Sequence, residues 1–386
     1  MNFDLRAHTV LLTVGGSRAY GIHTDTSDVD VKGVAVPPRE YFLGYLHNFE
    51  QAEGSHIGVF TDILNPEELE VVRSEKLEGS VYNLVKFIKL AADCNPNILD
   101  VLFCRDEEVR VQTPVGKKLR DSRELFLSAK AKHTFSGYSA AQIKRIRGHR
   151  TWLLNPPKAQ PTRAEFNLPE FTLVPKDHLA AAEAAVRKQM DRWDIDFSTM
   201  LDSEKVHVQD QIAQNLAEIS TSLGTTEEDA RWLAAARVVG LDENLILVMQ
   251  REREYESARR YWRQYKEWEA GRNPARAVLE AKYGYDTKHG AHLVRLMRMA
   301  REILTTGQVH VWRGAGSIPN DREELLEIRN GFWDYDKLEA WFEKEDHELH
   351  DMYTKKNYVL KHSPDREELD SLTIFLVEEA LGLVPG

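Results

Sequence analysis

The sequence predicts an α+β protein in which a mixed sheet with flanking helices precedes a largely helical region. Two observations support this prediction. Apolar strand patterns occupy residues 8–14 and 28–36, and an alternating pattern occupies residues 75–82. Helical spacing of apolar residues dominates from Ser128 onward. We therefore expect the sheet to form the N-terminal part of the chain.

A glycine-rich turn follows the first predicted strand. The apolar run ends at Val14 and is followed by Gly15, Gly16 and Ser17. Such a turn can offer backbone N–H groups and a hydroxyl to phosphate oxygens. We expect a short helix from Ser17 to Tyr20, with its N-terminus facing the phosphates.

Two aspartates lie on the second predicted strand, Asp28 at 11 residues after Ser17 and Asp30 two residues later. Because alternate residues of a strand point the same way, both carboxylates share one face, and Val29 and Val31 face a core. Proteins bind Mg²⁺ through carboxylates and substrate phosphates. The turn and the acidic strand therefore predict a site for a nucleoside triphosphate and two Mg²⁺ ions, with Mn²⁺ as an alternative ion. The competing interpretation is a glycine-rich hairpin beside a solvated acidic strand edge.

A third carboxylate commonly completes a two-metal transfer site, where it ligates one metal and acts as general base on the attacking hydroxyl. Glu78, in the predicted strand at residues 75–82, is the candidate for this role. The alternative is an exposed glutamate at a strand edge. Asn83 is a suitable N-cap for a helix that continues through Leu90.

We place the two domains at residues 1–127 and 128–386. The second domain begins with a predicted helix over residues 128–150, which ends in a basic run from Gln142 to Arg150. Two interpretations of this run stay open. It could hold a triphosphate or an RNA backbone, or it could be a solvated face whose cations the helix dipole favours.

A helical segment is predicted over about residues 155–270. Its predicted helices lie at residues 180–190, 205–223, 227–238 and 243–270. The last of these mixes acidic and basic side chains, a pattern typical of a solvent-exposed helix with i,i+4 pairs. An RNA-facing surface is the alternative interpretation.

A basic stripe is predicted further along the chain. Lys288, His292 and Arg295 follow one another at i, i+4 and i+7, so they share one helix face. Three basic side chains on one face suit a triphosphate or a nucleic-acid backbone. Tyr285, just before this helix, is available to stack on a base.

Composition narrows the class of protein. The net charge of −11 at pH 7 argues against a uniformly basic nucleic-acid-binding surface, but allows a local basic patch. No apolar run approaches the ~20 residues of a membrane helix, and the N-terminus lacks a signal-peptide pattern. Cys94 and Cys104 predict neither a disulfide framework nor a zinc knuckle. We expect a cytoplasmic protein without membrane association.

The order and spacing of Gly16, Ser17, Asp28 and Asp30 resemble the signature of the DNA polymerase β-like nucleotidyltransferase superfamily. Further blocks are similar to one branch of it, the RNA-repair-pathway (RlaP-like) nucleotidyltransferases. These blocks are GSRAYG with SDVD, LVKFIKLAADCNPNILDVLF, FSGYSAAQIKRI, RNPARAVLEAKYGYDTKHGAHLVRLMR and DREELLEIRNG. Residues 155–270 match the family pattern least well.

The resemblance implies a polymerase-β-like palm followed by a helical domain, and a metal-dependent transfer of a nucleotide from an NTP. An RNA 3′ end is the favoured acceptor, and an RNA ligase is a candidate functional partner, since relatives are associated with RNA ligases. The oligomeric state stays open. Alternatives are nucleotidylation of a protein or small-molecule hydroxyl, and a non-catalytic module that binds NTP or RNA. One departure from the family pattern supports the non-catalytic module: many relatives carry an acidic residue where this sequence has Ser80.

The expected site can be stated residue by residue. The predicted catalytic and metal-binding residues are Asp28, Asp30 and Glu78. The predicted nucleotide-binding residues are Gly16, Ser17, Arg18, Ser27, Tyr285, Lys288, His292 and Arg295. Because ligands usually sit in clefts, we expect these residues to meet between the sheet and the helical domain.

Overall fold

The computed structural model describes residues 2–24, 27–74, 77–172, 174–192, 227–272 and 274–383. The chain forms two compact units. The first unit combines residues 1–154 with residues 273–386, and the second unit consists of residues 155–272. The predicted domain boundary between residues 127 and 128 stays a prediction.

A five-stranded mixed sheet lies in the first unit and confirms the predicted α+β class. Its strands are β1 (Thr9–Val14), β2 (Asp30–Ala35), β3 (Gln51–Glu53), β4 (Glu78–Asn83) and β5 (Val109–Gln112). The strand order is β3-β4-β2-β1-β5. Strands β2 and β4 run parallel, and the other neighbours run antiparallel. The mostly apolar β1 is buried along its whole length, as expected for a strand covered on both faces.

Short helices connect the strands. They are α1 (Gly16–Ala19), α2 (Glu40–Leu43), α3 (Pro66–Ser74), α4 (Leu84–Ala92), α5 (Pro96–Phe103) and α6 (Pro114–Asp121), with 3₁₀ helices at Gly54–Ile63, Asp106–Glu108 and Arg123–Phe126. Asn83 Oδ1 accepts a hydrogen bond from Val85 N at 2.8 Å, so the predicted cap of α4 is confirmed. Asn95 caps α5 in the same way, through Asn97 N at 3.0 Å.

Helix α7 (Ala131–Leu154) is the last element before the second unit. The described helices of the second unit are α8 (Lys176–Arg192), α9 (Glu227–Val238) and α10 (Glu243–Ala270), with a 3₁₀ helix at Arg163–Phe166. The predicted bounds of α9 and α10 are confirmed, and the predicted helix at residues 205–223 lies outside the described residues. This unit has a small apolar core of its own, which includes Val186, Trp232 and Met249.

The first unit continues with a helical C-terminal part. Its helices are α11 (Pro274–Tyr283), α12 (Thr287–Thr306), α13 (Arg322–Arg329), α14 (Tyr335–Thr354) and α15 (Arg366–Ala380). Helix α12 packs against α7 and α13 and contributes many fully buried side chains to the core. Across the described ranges, none of the helices is long and apolar enough to cross a lipid bilayer.

The two faces of the sheet contribute to two different apolar cores. Val34 of β2 belongs to the large core that it shares with α4, α5, α7 and α12. Val29 and Val31 belong to a smaller core on the other face. Because side chains alternate along a strand, Asp30 and Lys32 point to the helix-covered face with Val34.

Candidate active site

The glycine turn is packed directly against the Asp30 carboxylate. Gly15 N donates to Asp30 O at 2.8 Å, which joins the turn to the start of β2. Gly16 has a φ of +60°, and a Cβ at this position would lie 2.5 Å from Asp30 Oδ2. Glycine is therefore required here both by its backbone conformation and by the carboxylate. Ser17 Oγ is buried and has no hydrogen-bond partner among the described residues.

The acidic pair lies at the entrance to β2. The strand begins at Asp30, two residues later than predicted, so Asp28 precedes it. Both aspartates line the same pocket, and Val29 is buried away from it, as the alternation predicts. Burial raises the pKa of the Asp30 carboxyl, and the neighbouring charge of Asp28 raises it further. Lys288 Nζ lies 4.0 Å from Asp28 Oδ1 and offsets part of this negative charge.

The candidate third carboxylate, Glu78, lies on β4 in register with Asp30. Glu78 is paired with Asp30 across the parallel strands, so the two side chains point to the same face. Ser80 is paired with Lys32, and its hydroxyl donates to Glu53 Oε1 at 3.1 Å. Glu78 is exposed and does not line the pocket. Among the described residues, no group of three or more His, Cys, Asp or Glu side chains forms a metal site, so a metal-binding role for Glu78 stays a prediction.

A pocket of about 320 Å³ opens in the first unit between β2 and the helices α5, α7, α12 and α13. From the predicted set it is lined by Gly16, Ser17, Asp28, Asp30, Lys288, His292 and Arg295. The fold therefore brings the basic face of α12 together with the turn and the acidic pair, although more than 250 positions separate α12 from both in sequence.

Six further polar residues line the pocket and were not among the predicted site residues. They are Tyr20, Lys32, Asn97, Gln142, His289 and Arg329. Lys32 Nζ donates to Asn97 Oδ1 at 2.8 Å, and burial lowers the pKa of this lysine. Lys32 could have been predicted from the sequence, because it lies two residues after Asp30 and so on the same face of the strand as Asp28 and Asp30. Gln142 begins the basic run for which triphosphate binding was one interpretation, whereas Arg329 comes from a distant helix and carries no local signal.

Beneath the pocket, Arg295 belongs to a buried polar network. Tyr20 donates to Asp100 Oδ2 at 2.5 Å, and burial raises the pKa of this phenol. The Arg295 guanidinium carbon lies 3.5 Å from the centre of the Tyr20 ring, and its Nη1 lies 3.9 Å from Asp100 Oδ1. Arg295 Nη2 lies 3.1 Å from His292 Nδ1. Because arginine only donates, His292 accepts at Nδ1, and burial lowers its pKa well below 6.5, which keeps the ring neutral.

Three predicted nucleotide-binding residues lie outside this pocket. Tyr285 is fully buried and its hydroxyl donates to Trp333 O at 2.8 Å, so the prediction that it stacks on a base is wrong. The ring fills the core instead of facing solvent. Ser27 is buried and accepts from Thr24 N at 2.9 Å, which makes it a loop-bracing residue. Arg18 is half-buried and does not line the pocket.

The basic end of α7 is largely paired within the protein. Arg147 Nε donates to Glu339 Oε1 at 2.7 Å. Arg150 Nη1 donates to Gly284 O at 3.0 Å, and its guanidinium lies over the Tyr335 ring. These two arginines therefore hold helices of the first unit together, which favours a structural function for them over binding of an RNA backbone.

The order of β1, the glycine–serine turn, β2 with the acidic pair at its entrance and the parallel strand β4 is the arrangement that the resemblance to polymerase-β-like nucleotidyltransferases implies. Residues 4–154 match the model of RlaP, the RNA repair pathway DNA polymerase beta family. This match confirms the family resemblance for the segment that contains the whole sheet and the acidic pair. Helices α12 and α13, which complete the pocket, lie beyond the matched segment.

Part of this chain is also similar to a phage protein. An uncharacterized 38.9 kDa protein from the nrdC-mobD intergenic region of Enterobacteria phage T4 is 31% identical over 147 residues. The aligned part is 37% of this chain and 40% of the phage protein, so the chain spans less than half of that relative. No solved structure matches the chain.

Proposed function

We propose that this protein transfers a nucleoside monophosphate from an NTP to a hydroxyl group with release of pyrophosphate, and that its favoured acceptor is an RNA 3′ end. The observation that carries the proposal is the packing of Gly16 against Asp30, where an added Cβ would lie 2.5 Å from Oδ2. This contact fixes a carboxylate beside the buried Ser17 hydroxyl. The adjoining pocket of about 320 Å³ is within the size range of small-molecule sites.

The donor chemistry of the acidic pair suits Mg²⁺, with Mn²⁺ as an alternative. Asp28 and Asp30 offer hard carboxylate oxygens, and Mg²⁺ is commonly held by one or two carboxylates together with substrate phosphates. Bound Mg²⁺ would neutralise phosphate charge and lower the pKa of the attacking hydroxyl. The mutual repulsion of the two carboxylates would be relieved by a bound cation.

The surrounding side chains have complementary tasks in this proposal. The Ser17 hydroxyl donates to a phosphate oxygen of the bound NTP. Lys288, which lines the pocket, balances the negative charge that develops on the leaving pyrophosphate. Glu78, beside Asp30 in the sheet, accepts the proton of the attacking hydroxyl. His292 is neutral and donates from Nε2, since its Nδ1 accepts from Arg295.

The acceptor is proposed from the family description. The matching family is described as an RNA repair pathway family, and this favours an RNA 3′ end over a protein or small-molecule hydroxyl. An RNA ligase is the functional partner that fits such a pathway, and the cytoplasm is the expected location. Because the net charge is −11, RNA binding must rely on a local cationic surface rather than on the whole protein.

The register of β4 favours an enzyme over a non-catalytic binding module. The departure at Ser80 removes an acidic residue that many relatives carry. However, the carboxylate of Glu78 is the one paired with Asp30, whereas Ser80 is paired with Lys32. A third carboxylate is therefore still present on the strand next to the acidic pair.

The proposal can be tested by incubating the full-length protein with labelled NTPs, Mg²⁺ and total cellular RNA, protein or metabolites. The proposal predicts label on RNA and release of pyrophosphate, both abolished by the double variant Asp28→Asn with Asp30→Asn. Glu50→Gln is a matched control, because Glu50 is an exposed carboxylate paired with Lys86 near the edge of the same sheet. The control should keep full activity.

Three outcomes would count against the proposal. Labelling that persists in the double variant would contradict the assignment of the acidic pair. Label found only on protein or metabolites would contradict the RNA acceptor. Tight NTP binding without pyrophosphate release under any of these conditions would favour the binding module.

A further inference from the structure

The chain segment between the glycine turn and the acidic pair is held by the C-terminal part of the first unit. Three successive backbone carbonyls accept hydrogen bonds from residues more than 290 positions away in sequence. The pairs are Arg313 N with Tyr20 O at 3.1 Å, Arg322 Nε with Gly21 O at 2.6 Å and Arg329 Nη1 with Ile22 O at 2.8 Å. Two of the three donors are charged, and charged donors make the stronger hydrogen bonds.

Arg329 contacts both ends of this segment. Its Nη1 donates to Ile22 O, and its Nη2 donates to Ser27 Oγ at 3.3 Å. Ser27 immediately precedes Asp28, and Arg329 also lines the pocket that contains Asp28. One guanidinium therefore links Ile22, three residues after the end of α1, to Ser27, the residue before Asp28.

One of the three donors is itself fixed by buried contacts. Arg313 is fully buried and pairs with Glu302 at 2.7 Å and with Asp321 at 2.8 Å. The neighbouring Trp312 packs against Gly21, where an added Cβ would lie 2.6 Å from the indole ring. These contacts leave little room for the backbone of Tyr20 and Gly21 to shift. This part of the segment is therefore held against a rigid support.

We propose that Arg322 and Arg329 are positioning residues, which place Asp28 and Asp30 for cation binding by fixing the segment before them. The inference rests on the proposed function, because it assigns the acidic pair a divalent cation. Both arginines lie outside residues 4–154, the segment that matches the family model. The family segment thus needs helix α13 to form a competent site.

The experiment compares full-length variants by the free Mn²⁺ signal in electron paramagnetic resonance, with a non-hydrolysable NTP analogue present. The same proteins are then assayed for labelling across a range of Mg²⁺ concentrations. Loss of a residue that orients metal ligands typically weakens metal affinity by about 10- to 100-fold. We expect Arg329→Gln to raise the Mn²⁺ Kd and the half-saturating Mg²⁺ concentration by about tenfold. Arg329→Lys should recover part of the loss, since lysine keeps a charged donor.

Arg301→Gln is the matched control. Arg301 is also half-buried and makes two ion pairs, with Glu345 at 2.5 Å and Glu348 at 2.6 Å, but it does not line the pocket. This variant should lower thermal stability and leave the Mn²⁺ affinity unchanged. Arg322→Gln provides a second test, with a smaller shift in the same direction, because it removes a single hydrogen bond to the segment, to Gly21 O, together with the ion pair to the exposed Glu323.

The outcomes separate this inference from the proposed function. If Arg329→Gln and Arg322→Gln bind Mn²⁺ as tightly as the wild type, the positioning role is overturned. If the arginine variants weaken Mn²⁺ binding but the wild-type protein shows no nucleotide transfer, the positioning role stands and the proposed reaction falls. A wild-type chain that binds no Mn²⁺ would overturn both.

Discussion

Substitution of Gly16 by alanine tests the contact on which the site depends. Gly16 has a φ of +60°, so a non-glycine residue there costs about 1–2 kcal/mol of stability. In addition, the new Cβ would lie 2.5 Å from Asp30 Oδ2, whereas ordinary contacts begin near 3.4 Å. Asp30 must therefore move by about 1 Å, a misplacement that can reduce catalysis by about 100-fold.

Two other glycines separate these effects. Gly54 has a φ of +62° with open space around its Cβ position, so Gly54→Ala introduces the backbone cost alone. Gly15 has an ordinary φ of −113°, and its added Cβ would meet nothing closer than 3.8 Å. Gly15→Ala should therefore keep both stability and activity.

The assay combines chemical denaturation with the initial rate of pyrophosphate release. We expect Gly16→Ala and Gly54→Ala to lose a similar free energy of unfolding, about 1–2 kcal/mol. Only Gly16→Ala should lose about 100-fold in kcat. Equal specific activity in these two variants would refute the claim that glycine is required at position 16 because of the Asp30 carboxylate.

Three further predictions concern single side chains. Glu78→Gln should lower kcat by about 10²- to 10⁴-fold, as expected for loss of a general base, whereas Ser80→Ala should change it little; equal effects in steady-state assays would contradict the role of Glu78. Burial lowers the pKa of His292 well below 6.5 in the folded protein. As the pH falls, this histidine is therefore protonated in the unfolded chain before it is protonated in the folded protein. The free energy of unfolding should then decrease below about pH 6.5, by at most about 1.4 kcal/mol per pH unit, and His292→Gln should reduce this slope in denaturation curves between pH 7 and 5. Tyr285→Phe should lose about 1–3 kcal/mol of stability, because Trp333 O is left unpaired, with no change in the KM for NTP; an unchanged free energy of unfolding would contradict the structural role of this buried hydrogen bond.

Local sequence patterns predicted the turn and the acidic pair because the physics there is local. The apolar run before Gly15 and the alternation from Asp28 to Val31 determine both strand positions and side-chain faces. The start of β2 could not be predicted as well, because strand pairing, not composition, decides that the strand begins at Asp30. The cap at Asn83 was predictable from the same local chemistry.

Residues whose role depends on distant partners were predicted poorly. Tyr285 has the composition of a stacking residue, but its exposure depends on Trp333, which lies 48 positions away. Arg329 has no local feature that marks it, since its contacts are Ile22 and Ser27 at the other end of the chain. Lys32 is different, because its position two residues after Asp30 already places it on the pocket face.

The most direct test of the account is a crystal structure of the full-length protein with Mn²⁺ and a non-hydrolysable NTP analogue. The account predicts anomalous density for Mn²⁺ in contact with the carboxylates of Asp28 and Asp30, and a phosphate oxygen within hydrogen-bond distance of Ser17 Oγ. An analogue bound away from the glycine turn, or an acidic pair without a cation in the presence of bound analogue, would contradict it.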